Sequence, residues 1–271
     1  MTSNDRPNIN MSLELNFEDL LRVFEIERAT LVWNSLQSAY DRLLFARHHM
    51  CLLNRLAPNA VTQMLEATGY ATEMKNGEVP DGQAASRSMH FAKMHVTDCV
   101  QHMHAVGDTI AYSIYFLLEV PPRQHIEKKY ITQKAVKEIL NRCPASVNAN
   151  VFLQLLNKLA DHSDHQYLRD LNNHAKHRSI VSPRVDLTPA FNGIEAVQRD
   201  LLIFPKVEMS YPPPELKNIG ATPCHAHRAI LPFIEAELQR TWSVYGDVRC
   251  EIKHQLNAAP SRIAQSAAHQ S

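Results

Sequence analysis

Glycine is scarce in this chain: seven in 271 residues, well under half the share of roughly 7% in average proteins. Dinucleotide-binding folds, phosphate-binding loops and turn-rich β architectures all place glycine at tight backbone positions, so the shortage argues against them and in favour of helix. Cysteine is sparse too. Cys51, Cys99, Cys143, Cys224 and Cys250 are scattered, with no Cys-x-x-Cys pair, and an odd count without a framework is the pattern of reduced thiols in a reducing compartment. An excess of either charge is also missing. The 28 Lys and Arg balance 28 Asp and Glu, so no global field draws the chain to nucleic acid or an anionic membrane, and any polyanion site must be local. The most apolar window, Ile110 to Val120, is too short to span a bilayer. The start, Met-Thr-Ser-Asn-Asp-Arg-Pro, has neither the basic nor the apolar part of a signal peptide. No Gly-x-Ser-x-Gly elbow is present for serine chemistry. The expectation is a soluble, cytoplasmic protein without a membrane partner.

What is present reads as helix. Phe17, Leu20, Leu21, Phe24, Leu31, Leu36, Leu43, Leu44 and Met50 recur at helical spacing between Pro7 and Pro58, with Ser12 or Asn16 as candidate caps. This is one very long helix or two with a subtle break. Asn59 to Thr68 reads as a separate short helix ended by Gly69, and Glu73 to Gly82 as a loop by its Asn-Gly and Pro-Asp-Gly turns. Ala84 to Glu119 reads as a second long helix. Its stripe is Val96, Val100, Met103, Val106, Ile110, Ile114 and Leu117, and Pro121-Pro122 stops it. Thr132 to Arg142 and Val147 to Ala160 read as shorter helices.

Texture changes after residue 178. Ser179 to Leu187 and Gln198 to Met209 alternate as two strands around Phe191-Asn192-Gly193, Tyr211-Pro-Pro-Pro214 closes the segment, and His225 to Leu256 reads as a last helix. The expected fold is mainly α: an antiparallel helical bundle over 1–178, a small β-hairpin appendage and C-terminal helix over 179–257 packed on the bundle, and a disordered tail over 258–271.

The chemistry concentrates between Tyr167 and Arg178, in Tyr-Leu-Arg-Asp-Leu-Asn-Asn-His-Ala-Lys-His-Arg. Asn and His are mediocre helix formers, so propensity does not explain Asn172, Asn173, His174 and His177 at a helix end. On a helix Arg169, Asn173, Lys176 and His177 line one side, and Asp170, His174 and Arg178 the next. The stretch is locally basic on a neutral chain, with two imidazoles able to exchange protons near neutral pH. Cations, amides and a proton carrier together suit a phosphate backbone and cleavage beside it. The structural reading of the same residues is a closed helix end. There Asn173 and His177 cap the helix, and Lys176 and Arg178 complement its dipole.

The Asn-x-x-Lys-His-Arg run, preceded by a long helix reading His104-Ala-x-x-Asp108-x-x-Ala111, resembles the HEPN superfamily, in particular divergent bacterial members with long decorated helices. The resemblance covers about 84–181. It implies an RNA-directed protein, a metal-independent endoribonuclease of a bacterial defence or stress system, acting as a homodimer on RNA without a cofactor. It also implies His174 or His177 as general base and acid around the ribose 2′-hydroxyl, Arg169 on phosphate and Asn173 orienting the histidine. Lys176, Arg178 and Asn172 would be binding residues, with His104 and Asp108 in support.

The superfamily's hallmark is Arg, four to six residues, then His, near the end of a helix, and two registers fit it. Arg169 to His174 has the required four residues between, although the two side chains sit about 140° apart at about 100° per residue. Asn172 to His177 matches the commoner form with Asn172 in place of arginine, which removes the fixed charge that would hold phosphate. The alternative from another class is a non-catalytic helical interaction module. A metal-binding bundle stands third. His102-x-His104 and His225-x-His227 point apart if helical, Asp161 with His165 has ligand spacing, and Glu251-x-x-His254 is half of a di-iron motif without its second half. No metal ligand is assigned.

Overall fold

The computed structural model describes residues 15–67, 82–118, 127, 131–142, 147–177, 181–186, 201–210 and 223–259. Helix dominates: α1 (Phe17–Leu21), α2 (Ile26–Ala67), α3 (Gly82–Leu117), α4 (Gln133–Arg142), α5 (Val147–Ala160), α6 (Ser163–His177) and α7 (Ile230–Ala258). A two-stranded antiparallel sheet joins β1 (Arg184–Val185) to β2 (Leu202–Ile203), with Arg184 opposite Ile203 and Val185 opposite Leu202. The mainly α class with a small hairpin is therefore the fold. The expected loop over 73–81, the Pro121-Pro122 stop, the Phe191-Asn192-Gly193 turn, the triple proline at 212–214 and the tail beyond residue 259 lie outside the described residues.

Two compact units divide the chain, and their boundaries fall within α2, α3, α5 and α7. The first comprises residues up to Ala39, Asp108–Lys158 and Ser243 onward. Its core is Leu20, Val32, Leu36, Ile110, Ile114, Phe152, Leu156, Val248 and Ile252, each at most 1% exposed. Polar side chains close its helix ends. Asn16 and Asp19 form a reciprocal capping box on α1, satisfying two backbone donors that a helix start leaves open. Lys253 reaches Asp19 at 2.5 Å. Arg28 donates to the Phe116 and Leu117 carbonyls at 2.5 and 2.7 Å, at the end of α3, and Asp108 accepts the Gln133 N–H at 2.8 Å, at the start of α4.

The second unit comprises Tyr40–Gly107 and Leu159–Trp242. Leu43, Leu53, Val96, Val100, Met103, Val106, Leu168 and Leu171 are fully buried in it. The rings of Tyr167, Phe204 and Phe233 meet edge to face at 5.1–5.7 Å, the geometry that aromatic quadrupoles favour.

Three expectations are corrected. α2 runs 42 residues through Pro58 where a break and a separate helix are expected. Leu53, Ala57, Ala60 and Val61 are fully buried on both sides of the proline, so packing of one continuous stripe outweighs the lost hydrogen bond. Of the two alternatives for the region before it, the structure has the broken form, with the break between Leu21 and Ile26. The strands are two residues each, and His225 to Ala229 is extended rather than helical. This segment bridges β2 and its continuation at Ile203–Ala229 and Glu208–Cys224, and His225 N–H donates to the Val207 carbonyl at 2.8 Å. β2 thus has backbone partners on both edges, and α7 starts five residues later than its expected His225, with Pro232 in its first turn, where a missing N–H costs little.

Candidate functional site

α6 is amphipathic. Tyr167, Leu168, Leu171 and Asn172 are buried, whereas Arg169, Asn173 and His174 are half-buried and Lys176 is exposed. The half-buried side faces an open cleft of about 430 Å³ lined by Asp170, Asn173 and His174 of α6 and by Val207, Glu208, Met209 and Ser210 of the extended segment after β2. The backbone pairing just described holds that far wall: Met209 N–H donates to the Pro223 carbonyl at 2.9 Å.

Asp170 anchors the floor. It is 3% exposed, and its Oδ2 accepts from His225 Nε2 at 2.8 Å and from the Ser210 N–H at 3.2 Å. The Arg169 Nε lies 3.7 Å from the other carboxylate oxygen. With Nε2 tied to a carboxylate, the tautomer and ring orientation of His225 are fixed. The edge of its ring also packs on Tyr167 at 4.8 Å. Among the described residues, the buried Tyr167 hydroxyl and the Asn172 Nδ2 have no hydrogen-bond partner. Burial pushes the Tyr167 phenol up, against the opposing pull of Arg228, whose guanidinium sits 4.9 Å from the ring centre.

Beneath this runs a charge network. Arg228 and Arg240 both donate to Asp164, Arg240 also donates to Glu237, and His165 Nδ1 lies 3.0 Å from the Glu237 Oε1. Glu237 is fully buried, a position a carboxylate holds only when paired. Burial alone would raise the Asp164 carboxyl, but the two guanidiniums outweigh it and hold the group below the usual carboxylate range. His104 stacks flat on His165, 6.3 Å between ring centres and 3° between planes.

The structure thus gathers Asp170, Asn173 and His174 at one cleft, with Arg169 beside its acid. Asn172 is 1% exposed and faces the interior. Lys176 is on the exposed side of the same helix. His177 ends α6 with its side chain outside the described residues, and Arg178 lies outside them altogether. The His104 ring lies parallel to that of His165, and Asp108 accepts from the start of α4. Sequence reasoning missed His225 and Ser210, which lie 55 and 40 residues from Asp170. The alternation His225-x-His227 was their one local signal, and it fits an extended strand rather than a helix. No family model matches the chain, and no curated protein or solved structure matches it either.

Proposed function

We propose that this is an HEPN-like, RNA-directed protein whose working site is the α6 cleft, and that it cleaves RNA without a metal. The observation that carries the reading is the placement of His174 and Asn173 on an open cleft beside a buried, positioned carboxylate. A half-exposed imidazole on an open cleft can reach substrate and carry a proton to or from it. In the proposed step His174 takes the proton of the ribose 2′-hydroxyl, the 2′-oxygen forms a bond to phosphorus, and the 5′-oxygen leaves with a proton from solvent. The products are a 2′,3′-cyclic phosphate and a 5′-hydroxyl. Asn173 hydrogen-bonds the substrate, while Arg169 and Lys176 attract its backbone. Asp170 acts as a positioning residue, holding the far wall through Ser210 and His225. The register this favours is Arg169 to His174, because Asn172 of the other register is buried.

The second reading, a non-catalytic helical interaction module, draws on a separate observation. Asp170 and Asn172 are buried at 3% and 1%, so two of the motif's polar groups face protein rather than ligand. End analysis of RNA incubated with the full-length protein in EDTA separates the two. Cyclic phosphate ends that depend on His174 support cleavage. Intact RNA with a folded protein supports the module. The homodimer that the resemblance implies is tested alongside by light scattering.

A further inference from the structure

The first half of the chain carries a histidine group that the α6 cleft does not use. On α2, His49 meets His95 and Asp98 of α3: the His49 and His95 Nδ1 atoms are 2.9 Å apart, and the His49 Nδ1 is 3.6 Å from an Asp98 carboxylate oxygen. One donor atom from each of the three lies within 4.8 Å of the other two. Zinc-type ions bind histidine nitrogen and carboxylate oxygen at about 2.0–2.2 Å, so adjacent donors in a tetrahedral set are roughly 3.3–3.6 Å apart. The first two edges of this triangle already approach that size. His95 and Asp98 are three residues apart on one helix, the spacing that points two side chains at one ion. The donor set, two imidazoles and one carboxylate, suits first-row divalent metals.

The electrostatics agree. Burial, the largest influence, together with neighbouring histidines, holds His49 and His95 below the usual imidazole range, against the upward pull of Asp98. Neutral imidazoles are the form that binds metal. Among the described residues Asp98 has no Lys or Arg ion pair, its charge being faced by histidine alone. A second group with ligand spacing, His162 with Asp164 and Glu237, differs on this point. Arg228 and Arg240 already neutralise both of its carboxylates, leaving no net negative charge for a cation.

We infer that His49, His95 and Asp98 form a binding site for one divalent transition-metal ion, with a remaining coordination position open to water. Three protein ligands plus an open position is the arrangement of catalytic rather than purely structural zinc sites. The site shares no residue with the α6 cleft, so the two proposals succeed or fail separately.

The test is titration of the EDTA-stripped, full-length protein with Co²⁺ and with Zn²⁺, followed by calorimetry and by the visible absorption of bound Co²⁺, with folding checked by circular dichroism. The expected result is one ion per chain, competition between the two metals, and an affinity lowered at least about tenfold in His49→Gln and in Asp98→Asn. His162→Gln keeps wild-type affinity. If one ligand variant fails to fold, the other decides, and the wild-type stoichiometry stands by itself. A folded wild type that takes up no stoichiometric ion overturns the site and leaves a metal-free hydrogen bond between two histidines. Wild-type affinity in folded Asp98→Asn or His49→Gln overturns it as well.

Discussion

At the scale of single residues, the buried polar groups divide into those with partners and those without, and substitution separates them. Glu237 is fully buried between Arg240 and His165. Removing one member of such a network strands the others, so Glu237→Ala costs about 3 kcal/mol, measured by urea unfolding. Among the described residues the buried Tyr167 hydroxyl has no partner, so Tyr167→Phe removes an unmet demand and leaves stability unchanged or raised by up to about 1 kcal/mol. A loss above that size in the same assay contradicts the assignment. The titrating groups give a pH dependence with a definite sign. Burial holds His49, His95 and His102 below the usual imidazole range, so below about pH 6.5 the unfolded chain takes up protons that the folded one does not. Stability of the metal-free protein therefore falls as pH drops from about 7 towards 5. Asp164 adds a second window: its lowered carboxyl contributes stability above about pH 3.9 that is lost as pH falls through its folded value. Thermal melts across this range check both, and Asp164→Asn flattens only the lower one.

The helices show which sequence signals were legible. The stripe Val96, Val100, Met103, Val106, Ile110, Ile114 and Leu117 is buried throughout, because a 3.6-residue period leaves one face to be covered. Val147 to Ala160 matches α5 at both ends, and Asn16 caps α1 as one of its two candidate caps. Pro58 misled, since local propensity predicts a stop and burial around it overrides propensity. His225 to Ala229 misled for the opposite reason. Its partners are residues 203–208, and no local pattern announces a pairing with a distant segment. The same limit hid the Asp170–His225 pair, and it hid His49, which meets a histidine 46 residues away on another helix. Within α7, Gly246 has nothing within 4 Å of where a Cβ would sit. Gly246→Ala thus adds no clash and removes backbone freedom from the unfolded chain, stabilising by about 0.5–1 kcal/mol and raising the melting temperature by about 2 °C. A lower melting temperature would contradict the open space seen there.

For the molecule as a whole, length and composition led to a mainly helical protein, and the fold is one. Among the described residues no helix is long and apolar enough to cross a membrane. Under the proposed function, the charge balance of 28 against 28 would leave attraction of RNA to a few local groups such as Arg169 and Lys176. So few phosphate contacts would make binding weak and its salt dependence shallow. The α6 motif was visible because its residue types are unusual for a helix end. Its cleft was not, because Val207 to Ser210 form the opposite wall from a segment more than 30 residues downstream. In the proposed function His174 at this cleft performs proton transfer on RNA. Single-turnover cleavage of a labelled RNA in EDTA by wild type and by folded His174→Ala tests it most directly. The account predicts cleavage by wild type and a loss of about a hundredfold or more in the variant. Equal rates in the two proteins, or no cleavage by the folded wild type, would contradict it.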